Sequence, residues 1–182
     1  MPEFHHLRAE QILVVSGEAR RASRATVRPM RFPGGRLEQA ARPGRGRQRR
    51  PKVTFRGHEI LYVITLRPLF FRASTLEERV ETILHELFHL PVRFDGTLDE
   101  ARRHSVMGRS FGAALRPLVR RYLAACPASL LTPFAINGEV LVRQWLERPV
   151  KSFAESESVR QRFSEAQTFL GPVRMITRST RH

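Results

Sequence analysis

The chain has 182 residues, 41% of them hydrophobic, which suits one domain or one domain with tails. Its single cysteine excludes a disulfide framework and a cysteine zinc cluster, and no apolar segment has the length of a membrane span. The formal charge of +15 rests almost wholly on arginine, since Lys52 and Lys151 are the only lysines. Such a charge favours a polyanionic partner, although the codon usage of a GC-rich genome produces the same arginine excess.

The first residues, Met1-Pro2-Glu3-Phe4-His5-His6, show no signal-peptide pattern. The apolar run Ile12-Leu13-Val14-Val15 is too short for one, so a cytoplasmic protein is expected. Residues 10–15 read as a short strand or a helix end, 17–22 as turn or helix, and 25–32 as a strand in spite of Pro29. Pro33-Gly34-Gly35 is a turn signal. Residues 36–52 are expected to form a flexible basic loop. Its second half carries Arg42, Arg45, Arg47, Arg49, Arg50 and Lys52 with no acid, and glycine and proline interrupt it repeatedly. These cations are candidates for gripping nucleic-acid phosphates by ordering on binding; a solvated hairpin tip fits the same composition.

Two strand signals follow, 52–55 and 60–64, with Arg56-Gly57-His58 between them, which predicts a hairpin. His58 reads as a surface residue of that turn. Phe70 and Phe71 are expected to pack under the next helix. Ser74-Thr75-Leu76-Glu77 has the form of a capping box, with Ser74 as N-cap, and Pro91 is the next helix breaker. The expected helix therefore spans about 75–90.

That helix carries His85-Glu86-Leu87-Phe88-His89, an HExxH motif. Imidazoles four residues apart are neighbours on a helix, so both reach one zinc ion. Glu86 lies about 100° round the helix from His85 and can contact a metal-bound water without ligating. Leu76, Val80, Ile83, Leu84 and Leu87 form a separate apolar stripe, while Thr82, His85, Glu86 and His89 share another side.

Catalytic zinc commonly takes three protein ligands and a water. A metzincin would have glycine at 92 and histidine at 95, where this chain has Val92 and Asp95. The downstream candidates are Asp95, Asp99, Glu100 and His104. A helical pattern resumes over 98–103 and leads to His104, which is favoured because it follows the Asp95-Gly96 turn, begins or precedes the next helix, and is the only histidine between 90 and 181. Glu100 is the runner-up, as a His₂Glu set would need.

Phe111, Leu115, Leu118, Val119, Tyr122 and Leu123 recur at helical spacing and predict a second helix ending near Cys126-Pro127. Beyond it, 138–146 suggests a strand anchored by Trp145, 152–168 a polar helix or linker, and 172–177 a last strand.

The stretch 62–122 resembles the SprT-like and related zinc metallopeptidases of bacteria and phages. The residues that carry the likeness are His85-Glu86-Leu87-Phe88-His89-Leu90, the loop Phe94-Asp95-Gly96, and His104 followed by Phe111. It covers about a third of the chain, and Ser105 stands where that family often has glycine after the third histidine. The resemblance implies a zincin-like α+β fold, with a small antiparallel or mixed sheet packed on the HExxH helix and a second helix. It implies Zn²⁺ held by His85, His89 and His104, and Glu86 as general base in the hydrolysis of a protein or peptide substrate. On this reading 1–130 is the metallopeptidase domain, with 36–52 as its basic loop, and 131–182 is a C-terminal extension. Strand 60–66 would line the cleft as an edge. Eukaryotic relatives cleave proteins crosslinked to DNA, which would give the charge a purpose. The rival expectations are a zinc-dependent nuclease and a non-catalytic protein binding nucleic acid through its arginine-rich segment.

Overall fold

The strand signals near 12–15 and 62–64 become the centre of a mixed sheet. The computed structural model describes residues 1–17, 23–40 and 46–176. In chain order, β1 (Ile12–Ser16), β2 (Ala25–Pro29), β3 (Glu38–Ala40), β4 (Arg47–Arg49), β5 (Lys52–Phe55), β6 (His58–Glu59) and β7 (Tyr62–Leu66) precede a helical block. The helices are α1 (Pro68–Ala73), α2 (Leu76–Phe88), α3 (His104–Met107), α4 (Ser110–Ala125) and α5 (Ala128–Leu131). The strands β8 (Glu139–Trp145), β9 (Phe153–Ala154), β10 (Arg162–Phe163) and β11 (Thr168–Arg174) follow. The architecture is α+β, as expected.

The main sheet has the order β11-β8-β1-β7-β2. The three inner strands run parallel, β8 to β1 and β1 to β7, and the outer pairs β11–β8 and β7–β2 are antiparallel. All five residues of β7 are buried because both faces of the sheet are covered. On one face Ile64, Leu66 and Ala25 pack with Phe71 and, partly, with Ile83 and Leu87 of α2. On the other, Leu13, Val15 and Val63 meet Val53 and Phe163 from a smaller sheet and Ile60, which follows β6. A third cluster joins α2 to α4 through Val80, Leu84, Phe88, Phe111, Leu115, Leu118 and Val119, the spacing that predicted both helices. No helix among the described residues is long and apolar enough to cross a membrane.

Several expectations change. The capping box of α2 is shifted by one residue: Thr75 is the N-cap and Glu78 supplies the N3 side chain, which accepts from the Thr75 amide at 2.8 Å. Ser74 is instead buried and donates back to the Phe70 carbonyl at 2.6 Å, closing α1. The helix expected over 98–103 is a short 3-10 turn, Glu100–Arg102, separate from α3 and α4. The strand 52–55 does form a hairpin across Arg56-Gly57, but its partner is β6 (register Thr54↔Glu59 and Phe55↔His58). The chain then leaves that sheet, and the Leu61 amide binds Gln11 O at 2.9 Å as β7 joins β1.

Residues 36–52 are not one structureless loop. β3 pairs with β4 and β4 with β9, and Arg50 N donates to Leu37 O at 2.9 Å. Arg42 and Arg45 lie outside the described residues. The polar stretch 152–168 is not one helix; apart from the 3-10 turn Glu165–Gln167 it supplies β9, which pairs with β4, and β10, which pairs with β5. Residues 139–174 belong to the main sheet through β8 and β11, so the segment read as an extension completes the layer that carries β1 and β7.

Candidate metal centre

His85, in the last turn of α2, and His89, its C-cap, line a cleft of about 640 Å³. One wall is the chain around β2, from Ser23 to Val27, and the other is the segment bearing Arg103, His104 and Ser105. His85, His89 and His104 each place a ring nitrogen within 4.8 Å of the others. His85 Nε2 and His104 Nε2 face each other at 3.0 Å. Two nitrogens at zinc distances of ~2.0–2.1 Å in a tetrahedron would be about 3.3 Å apart, so a small adjustment of either ring fits the ion.

The turn that delivers His104 is fastened to the end of α2. Asp99 N donates to His89 O at 2.9 Å, and an Arg102 guanidinium N–H donates to Phe88 O at 3.2 Å. The Arg102 guanidinium also lies over the Phe88 ring, 4.6 Å from its centroid. His89 Nδ1 donates to the Arg102 carbonyl at 2.8 Å. Because a carbonyl only accepts, that bond fixes the proton on Nδ1 and leaves Nε2 with its lone pair facing the cleft. Phe111 lies beneath the set, its ring centroid 4.6, 5.0 and 4.4 Å from those of His85, His89 and His104.

The rival carboxylates are engaged elsewhere. Asp95 accepts from Thr97 and pairs with Arg93. Asp99 caps the Ala101 amide and pairs with Arg102. Glu100 is exposed and pairs with Arg103. Among the described residues the histidine trio is the one such ligand group. His58 is exposed on β6 and takes no part.

Burial sets the protonation of the site. His85 is pushed down to about 4, chiefly by desolvation and then by the neighbouring His89 and His104. Desolvation also lowers His89, against the Arg102 carbonyl bond, which raises it. Both rings are thus neutral at neutral pH, the form that ligates metal. Glu86 lines the same cleft, is only 6% exposed, and is pushed up to about 7 by desolvation, opposed by a hydrogen bond from the Val27 backbone.

The expected cleft-lining strand is corrected. The strand β7 lies between β1 and β2, so neither of its edges is open to pair with a substrate. The edge strand beside the cleft is β2. The sequence carried one signal for this, since proline within a strand marks an edge and Pro29 ends β2.

Of the six basic-loop residues, the four that are described, Arg47, Arg49, Arg50 and Lys52, are not brought to the cleft. Arg47 and Arg49 both pair with Glu38, and Arg49 also with Glu155. Arg50 donates to Lys151 O at 2.9 Å and covers the Phe32 ring.

No family model, curated protein or solved structure matches the chain.

Proposed function

We propose that the protein is a zinc-dependent peptidase. The observation that carries this reading is the convergence of His85, His89 and His104 in a cleft that also contains the buried Glu86 and is walled by an edge strand. The donor set fits zinc: three imidazoles, one oriented by a carbonyl, with the side at the exposed His104 facing solvent. When bound there, zinc would acidify a water and polarise the scissile carbonyl.

The residues of the chain supply the rest. Glu86 takes the proton of the attacking water as the new C–O bond forms, and then passes it to the departing amine as the C–N bond breaks. A purely structural zinc site needs no such carboxylate. The outer edge of β2 offers backbone groups to an extended peptide, which aligns its scissile bond along α2. Phe111 keeps the imidazoles from rotating away.

The test is metal content together with hydrolysis of an unfolded protein substrate. Purified protein is expected to hold one zinc per chain. His85→Ala and His104→Ala should each lose stoichiometric zinc and proteolysis, whereas Asp99→Ala and Glu100→Ala should keep the metal. Undiminished zinc in His85→Ala would remove the site. Zinc lost from Glu100→Ala but kept by His104→Ala would replace the third ligand with a carboxylate. Zinc-dependent cleavage of oligonucleotides with no cleavage of protein would make the site a nuclease.

A further inference from the structure

Away from the metal cleft, a second concavity of about 140 Å³ opens where the β3–β4 hairpin, β5 and β10 meet. Its walls include Arg49, Arg50, Lys52 and Arg162, with Glu38 the one acidic residue among them. Two contacts set its geometry. Lys52 N donates to Gln161 O at 2.8 Å, and the parallel pairing of β5 with β10 puts Lys52 and Arg162 opposite each other. The Arg50 amide is tied to Leu37 O, which brings Arg50 to the same rim.

The charges here do not cancel. Glu38 is already bound by Arg47 and Arg49, and Arg49 also holds Glu155. Among the described residues, no carboxylate forms an ion pair with Arg50, Lys52 or Arg162. The Nε of Arg50 is buried without a hydrogen-bond partner. Cations drawn together without counter-charge repel, so the arrangement suits an anion that fills the gap. The concavity is far smaller than a drug-sized pocket, which selects a small oxyanion group over a whole nucleoside.

The positive charge continues along the surface. Arg28 donates to Pro149 O at 2.9 Å and Arg50 to Lys151 O at 2.9 Å, so the two arginines clamp the loop that carries Arg148 and Lys151. Arg28 is pulled down to about 10, first by burial and then by the charges of Arg148 and Arg50. Repeated cations leading from one oxyanion-sized pocket match a ligand with repeated phosphates better than a single ion. Arginine forks bind phosphate oxygens bidentately, and the pocket offers that of Arg162 beside Lys52, with Arg50, whose Nη1 already holds Lys151 O, adding its charge at the rim.

We infer that the pocket formed by Arg50, Lys52 and Arg162 seats a phosphate of a nucleic-acid backbone, with the clamped loop that carries the exposed Arg148 and Lys151 as the next contact along the strand. This site is distinct from the metal centre and does not depend on it. It also differs from a flexible arginine-rich segment, because ordered strands build it and β10 contributes a cation far away in sequence.

The experiment is fluorescence anisotropy of labelled single-stranded and duplex oligonucleotides with the full chain, over a range of salt. The pocket variant Lys52→Glu/Arg162→Glu is compared with Arg116→Glu/Arg120→Glu, which makes the same charge change on the exposed face of α4. The pocket variant should weaken binding by about tenfold or more and flatten the slope of log K against log salt by about 1–2, and the control should do markedly less. The neutral pair Lys52→Gln/Arg162→Gln should lie between wild type and the pocket variant. Inorganic phosphate should displace oligonucleotide from the wild type better than chloride at equal ionic strength. Equal losses in the pocket and control variants would reduce the effect to bulk charge and overturn the site. No binding at low salt, or phosphate bound in the pocket while oligonucleotide affinity ignores it, would overturn the nucleic-acid assignment.

Discussion

Glu86→Gln should retain one zinc per chain and lose proteolysis by about 10² or more. The substitution keeps the shape of the side chain and removes its ability to take a proton. Glu86 lies between His85 and His89 in sequence, yet nothing places it among the ligands: the ring nitrogens of His85, His89 and His104 form the cluster, and the Glu86 carboxylate turns to the Val27 backbone. It lines the cleft together with the edge strand β2, and on the proposed reading it would serve a water attacking a peptide laid along that strand. A neutral amide fits the same buried site without leaving a charge there, so circular dichroism should be unchanged. Hydrolysis assays and metal analysis on the same preparation decide the outcome. An active Glu86→Gln protein that still holds zinc would remove Glu86 as the base. A variant that loses zinc as well would make Glu86 a ligand or a support of one.

The histidine pair was legible in the sequence because helical geometry is local. Spacing of four on a capped, apolar-striped segment fixes the relation of two side chains without any knowledge of the rest of the fold. His104 was legible only as a preference. Its approach to α2 depends on the Asp99–His89, Arg102–Phe88 and His89–Arg102 contacts, which join residues that no short-range pattern relates. The same limit explains β7 and β2. Both read as strands, but which one lies at an edge is a property of the sheet order, and Pro29 was its one local sign. The short strands β9 and β10 were hidden for a different reason. Each is two residues long, in a polar context, and becomes a strand only because β4 and β5 stand ready to pair with it. The basic loop shows what composition alone misses: Glu38 and Glu155, outside the cationic run, neutralise its middle, and the uncompensated charge moves to Arg50, Lys52 and Arg162.

Arg79 is the largest structural effect that the sequence concealed. It sits one position before Val80 in α2, where an arginine would ordinarily point to solvent, yet it is 0% exposed. Its guanidinium donates to Phe71 O and Arg72 O, each at 2.7 Å, and to Phe134 O. The first two are carbonyls in the last turn of α1, which lack partners within that helix. The positive charge also stands at the negative end of the α1 dipole. One side chain thus ties α1, α2 and the turn Thr132–Phe134 together across the end of the helical layer. Arg79→Met fills similar volume and removes all three donors, which leaves buried carbonyls unsatisfied and should cost about 3 kcal/mol or more. For a chain of this size that corresponds to a fall in Tm of roughly 6–12 °C. Arg79→Lys keeps the charge but cannot span three carbonyls, so it should fall between the two. Arg79 lies six residues before His85, nearly two turns away, and α2 remains held there by Leu84, Phe88 and Phe111. Arg79→Met should therefore still bind one zinc per chain at temperatures well below its Tm. Thermal unfolding followed by circular dichroism, with zinc analysis beside it, checks both statements. A Tm within 2 °C of wild type would show that water replaces the guanidinium at those carbonyls, and loss of zinc at low temperature would show that the α1–α2 junction positions the metal ligands as well.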